Sequence, residues 1–193
     1  MSKQRICYTH AEIEKVMNEV SHEFDQHGLL TRGLRNAPVV TVSSEVGYMS
    51  WAHGLYIVQG RWGYDTGTIY VPRVSLVRLL ERLGRRRTTL RDVLRHEFAH
   101  ALAYRSGSLV RDWKRFEQVF GAHHDGEYEV GIPGDHFVTG YAATSPCEDF
   151  AETVMCYLRY GGEGARWRRR SVVFGKIELV GELAGRVGRL GLT

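Results

Sequence analysis

The chain has 193 residues, 43% hydrophobic and 25% charged. Those proportions exclude a disordered, collagenous or disulfide-stapled polypeptide, and they leave enough apolar material for a core that needs no metal to form. Its 22 arginines and 4 lysines exceed the acids by a net charge of +4, a modest excess that reads as solvated surface, with residues 85–87 and 168–170 as the blocks that would meet nucleic acid if it were a partner. Three cysteines, Cys7, Cys147 and Cys156, fit a reducing compartment better than a disulfide framework. The polar start Met1-Ser2-Lys3-Gln4-Arg5 shows no export signal, and no apolar run reaches the roughly 20 residues of a membrane span. The expectation is a cytoplasmic protein without membrane contacts, although a protein exported by a dedicated secretion machine would look the same.

In chain order, Thr9-His10-Ala11-Glu12 has capping-box form, and Ile13, Val16, Met17, Val20 and Phe24 follow at helical steps, predicting a helix that ends near Gly28. Residues 39–42, 55–58 and 68–71 are short β-branched and aromatic runs and predict strands of a small sheet, with Pro72 placing the third at an edge. Leu76, Leu79, Leu80 and Leu83 predict a helix stopped by Gly84; a second begins after Thr88 or Thr89, with Asp92 in its first turn, and runs to Ser106 or Gly107. Trp113, Phe116 and Phe120 mark a third helical segment whose aromatics belong to the core. Residues 121–140 are polar and glycine-rich, as in loops that shape clefts. Helical periodicity returns at 146–160 and, after a hinge at 161–170, at 172–183. The fold class expected is α+β, a single domain over 1–193. A helix-and-sheet lobe, 1–107, would precede a mainly helical lobe, 108–193.

Within the second of these helices lies His96-Glu97-Phe98-Ala99-His100, an H-E-x-x-H pattern. At 3.6 residues per turn both imidazoles leave one face a turn apart, close enough to share an ion, and Glu97 can reach a water on it. Two surface histidines beside a salt-bridging glutamate are the plainer alternative. A zinc site usually takes three protein ligands. Ala103 and Ser106 stand where a metzincin has glycine and its third histidine, which excludes that arrangement. His123, His124 and His136 are candidate third ligands, but Glu148 and Glu152, at i and i+4 on the helix that presents Phe150, Val154 and Leu158 to the core, serve better. One carboxylate can bind the ion while the other accepts the N–H of a ligand histidine.

Residues 137–152 and the H-E-F-A-H helix together resemble the gluzincin metallopeptidases, most closely the group that contains the catalytic domain of anthrax lethal factor and many bacterial zinc-binding peptidases. Tyr141 stands seven residues before Glu148, as a tyrosine does in that group. The resemblance implies a zincin-like fold and a Zn2+ cofactor held by His96, His100 and Glu148. It also implies Glu97 as general base, Glu152 as partner of a ligand histidine, and Tyr141 as hydrogen-bond donor to the oxyanion. The strand Thr68, Ile69, Tyr70 and Val71 would border the cleft and take an extended peptide or protein substrate by strand addition. Ala99 in place of glycine, and Cys147 before the glutamate, depart from the pattern without touching a ligand. Three other readings compete: a SprT-like DNA-associated protease with a histidine such as His123 or His124 as third ligand; a non-catalytic basic binding module; and an enzyme kept latent by the Cys7 thiolate.

Overall fold

The computed structural model describes residues 8–42, 56–57, 68–72, 89–190 and 192. The helix expected around residues 76–83, the arginines at 85–87 and Cys7 lie outside the described residues.

The first helix, α1 (His10–Gln26), starts as its sequence dictates: the Glu12 N–H donates to the Thr9 hydroxyl at 3.1 Å and the Thr9 N–H to the Glu12 carboxylate at 2.7 Å. Gly28, at φ +67°, supplies the left-handed residue that turns the chain away. A single turn, α2 (Arg32–Arg35), precedes β1 (Val39–Val42), β2 (Tyr56–Ile57) and β3 (Ile69–Pro72). Then comes α3 (Leu90–Arg105), opened by a second capping box in which Thr89 and Asp92 exchange hydrogen bonds. The helices α4 (Lys114–Phe120), α5 (Pro146–Arg159) and α6 (Ser171–Arg189) complete the described fold, with α6 running past the expected 172–183. Residues 121–140 are irregular apart from one 3-10 turn, Gly134–His136.

The α+β, zincin-like fold class is overturned. The described chain is mainly helical, with six helices, and its strands are four, two and four residues long. They pair side by side, β3 parallel to β1 and antiparallel to β2, without building a sheet lobe. Of the strand side chains described, Ile69 and Val71 are buried, whereas most of the remaining core lies on helices, with Tyr8, Leu29, Leu30 and Val110 joining it from outside them. The β-branched runs are too short to bury a layer. Nor is β3 an edge strand. It lies between β1 and β2.

The core is centred on α3, thirteen of whose sixteen residues are buried. Phe24 of α1 meets Phe98 at 5.7 Å between ring centroids, and on the other flank Phe116 and Phe120 of α4 stack at 4.3 Å against Phe150 of α5. So central a helix must pair its polar groups internally. Arg95, 8% exposed, donates from Nε and Nη2 to both Glu23 oxygens at 2.7 Å and from Nη1 to Asp92 at 2.7 Å, and Arg91 also pairs with Glu23. Among the described residues no helix is long and apolar enough to cross a membrane.

Burial alone would raise the Glu23 carboxyl, but the Arg95 bonds and charge, with Arg91 behind, hold it below its ordinary 4.5. A depressed folded value stabilises above the unfolded value and is lost as pH falls through the folded one. Chemical denaturation from pH 7 down to pH 3 should therefore show Glu23→Gln less stable than wild type at neutrality, with the gap closing below about pH 4.5. A gap constant across that range would remove the Arg95–Glu23 pair from the acid response.

Candidate metal centre

The buried face of α3 brings His96 and His100 one turn apart, and α5 packs against it. Ser145 caps α5 by accepting from the Glu148 N–H at 3.4 Å, with Pro146 in the first turn, so Glu148 leaves the helix start on the side facing the histidines. Three donor atoms converge: His96 Nε2 lies 3.1 Å from His100 Nε2 and 3.1 Å from Glu148 Oε2, and His100 Nε2 lies 3.3 Å from the same oxygen. Tetrahedral zinc with bonds of about 2.05 Å needs ligand atoms roughly 3.3 Å apart, so the triangle already has the required edge. His96 and His100 are buried while the Glu148 side chain keeps 18% of its surface.

The charges also fit a cation. Burial would lower the His96 imidazole, yet its bonds to Glu148 and Glu152 and the charge of Glu97 push it up to about 10. Glu148, despite burial, is held far below the carboxylate range by the two histidines. Facing imidazole nitrogens at 3.1 Å share at most one proton, and the neighbouring carboxylates draw positive charge to the same point. A divalent ion satisfies all three donors at once. The His96 Nδ1–H donates to Glu152 Oε1 at 2.8 Å, which fixes the tautomer and turns Nε2 toward the centre.

Glu97 is buried beside both histidines. Its carboxyl is raised first by burial and further by Glu148 and Glu152, against the lowering pull of His96 and His100. The Tyr141 ring lies 5.9 Å from the His96 ring, and burial together with the charges of Glu148, Glu97 and Glu152 keeps its phenol protonated. The other histidine candidates do not join the converging donors among the described residues. His123 is exposed. The His124 ring is fully buried among Tyr104, Phe116 and Phe150, donates from Nδ1 to Asp125 at 2.7 Å, and is pushed down to about 4 by that burial. The His136 carbonyl accepts from Lys176 at 2.9 Å. Thr68, Ile69, Tyr70 and Val71 form or adjoin β3, whose Ile69 and Tyr70 are paired to strands on both sides. Burial raises the thiols of Cys147 and Cys156, the latter to about 12.

Four contributors, Thr139, Asp149, Tyr128 and Lys176, were not read from the sequence. Thr139 donates to Glu152 Oε2 at 2.7 Å. Asp149, fully buried, accepts from Tyr128 at 2.7 Å and from Lys176 at 2.6 Å, which ties α6 and the irregular segment to α5. A lysine between Val173 and Ile177 on an apolar helix face was a legible sign of a buried partner; nothing in the sequence singled out Thr139.

Compared with protein-family models, curated proteins and solved structures, the chain matches none. The donor set therefore rests on its own geometry. Zinc quantification after dialysis should find about one equivalent in wild type and in His124→Gln, with affinity lowered at least tenfold in Glu148→Ala; full zinc in Glu148→Ala would exclude Glu148 as a ligand.

Proposed function

We infer that the chain is a zinc-dependent endopeptidase of the gluzincin type acting on peptide or protein substrates. The observation that carries this reading is the convergence of His96, His100 and Glu148 at tetrahedral spacing, with a buried carboxylate and a protonated phenol beside them. Zinc on these donors would supply Lewis acidity, lowering the pKa of a water toward about 7 and polarising a substrate carbonyl.

The chain's own residues perform the rest. Glu97 follows His96 on α3, so it stands within the centre without being one of the converging donors. Its raised carboxyl makes it a stronger base than an exposed glutamate, suited to accepting a proton from water and passing it to the leaving amine. Tyr141 holds its proton at neutral pH and donates it as a hydrogen bond where charge develops on the carbonyl oxygen. Glu152 retains the proton of His96 on Nδ1, leaving Nε2 as the ligand atom. With His123 exposed and His124 enclosed by aromatic rings, a histidine third ligand of the SprT kind has no support, and Glu148 takes that place.

Unfolded casein, or a peptide library, is the substrate for the test. Glu97→Gln should keep its zinc and lose cleavage by at least about a hundredfold, the lower end of what general acid–base catalysis contributes; cleavage at the wild-type rate would end the peptidase reading. Tyr141→Phe should lower kcat by about 10²–10³ with KM little changed, and a change confined to KM would make Tyr141 a binding residue instead.

A further inference from the structure

We propose that Thr139 is a positioning residue of the metal centre, acting through Glu152 on His96. The proposal deepens the metal reading and rests on it. Thr139 is half-buried in the segment between α4 and α5, and its hydroxyl lies between two fixed partners. It accepts from the Ala142 N–H at 3.1 Å, so its single proton goes to Glu152 Oε2 at 2.7 Å. The other oxygen of that carboxylate accepts the His96 Nδ1–H at 2.8 Å.

Glu152 thus has a donor on each oxygen. Two donors set the plane of the carboxylate, and an immobile acceptor is what holds the His96 ring with Nε2 aimed at His100 and Glu148. Loss of the Thr139 bond removes one of the contacts that hold the Glu152 terminal torsion, and the orientation of the imidazole is loosened with it. The same hydroxyl fastens the turn that carries Tyr141, because the N–H it accepts belongs to Ala142, the next residue. One threonine therefore links the ligand histidine and the phenol through a continuous path of hydrogen bonds: Ala142 N–H to Thr139, Thr139 to Glu152, and Glu152 to His96. Its position two residues before Tyr141 gives it that reach.

The test measures Zn2+ affinity by competition with a chromogenic chelator, with thermal melting of the metal-free protein as the check on folding. Thr139→Val keeps the shape and removes the hydroxyl, and it should weaken Zn2+ binding by about 10–100-fold, the range for the outer partner of a ligand histidine. Thr139→Ser should restore most of that affinity. Thr139→Ala serves as a second hydroxyl-free variant should Thr139→Val fail to fold. The decisive arm is Glu152→Ala: in that background Thr139→Val should change affinity by no more than about twofold, the scatter expected of independent sites. A general loosening of the segment would weaken binding in both backgrounds, so an undiminished loss beside Glu152→Ala overturns the proposal. So does wild-type affinity in a folded Thr139→Val, or a serine variant as weak as the valine. Wild-type protein that takes up no Zn2+ would instead sink the metal reading itself.

Discussion

The structure depends on His96 being held from two sides by one helix. Glu148 and Glu152 stand a turn apart on α5; the first meets His96 Nε2 at 3.1 Å and the second meets Nδ1 at 2.8 Å. An imidazole gripped at both nitrogens fixes the separation and the register of α3 and α5 together. A slip of α5 by one residue would carry both carboxylates round the helix by about 100° and leave buried groups without partners. Removing one partner from a buried pair typically costs about 3–5 kcal/mol, so polar chemistry specifies this helix pair as tightly as the surrounding Phe98, Phe150 and Val154 do by packing.

That grip places unusual demands on α3. A helix buried on nearly every side would ordinarily be apolar throughout, yet this one carries Asp92, Arg95, His96, Glu97 and His100 inside. The two ends of the polar set are handled differently. Near the N-terminus, Arg95 is neutralised by Glu23 from α1 and by Asp92, and Arg159 of α5 also reaches Asp92 at 3.3 Å. Those charges are closed on one another and hold α1, α3 and α5 together. One turn on, the carboxylates Glu97, Glu148 and Glu152 gather about His96 and His100, and the Glu148 side chain is 18% exposed. The first cluster sets its carboxylates against arginines; the second sets them against histidines.

The centre was more legible in the sequence than the fold around it. The spacing of His96, Glu97 and His100 and that of Glu148 and Glu152 translate directly into helix faces, because a four-residue step has one meaning on an α-helix. The first capping box and, within a residue or two, the limits of α3 and α5 followed from the same local rules. The α+β class did not follow, because residues 39–42 and 68–71 look alike whether they form part of a wide sheet or a short patch. What decides is how much of the core the neighbouring helices already fill. Thr139 was hidden for a related reason: thirteen residues separate it from Glu152, and no periodic rule joins a loop hydroxyl to a helix carboxylate. His123 and His124 show the converse, since adjacency in sequence gave them equal weight and packing separated an exposed ring from an enclosed one.

The irregular segment is anchored in a way that suits the chemistry inferred for the centre. Arg170 donates to the carbonyls of Asp135 and Phe137, Lys176 to that of His136, and Tyr128 to Asp149, so α6 and α5 hold residues 128–137 by side chains rather than by strand pairing. Lys176, 2% exposed, bonds both the segment and Asp149, the residue next to Glu148, while its ammonium faces the Phe137 ring at 4.7 Å. Such a clamp compensates for the lack of regular structure. Backbone carbonyls that would otherwise need water are satisfied by the buried Lys176 and the half-buried Arg170, and the chain that leads to Thr139 and Tyr141 leaves a fixed base. Catalytic groups on a loop need this kind of support, because a displacement of about 1 Å is enough to cost a hundredfold in rate. Here α5 shares the support with α6 and also supplies Glu148 and Glu152, so the candidate donor, the partner of His96 and the phenol's turn are tied to one helix pair.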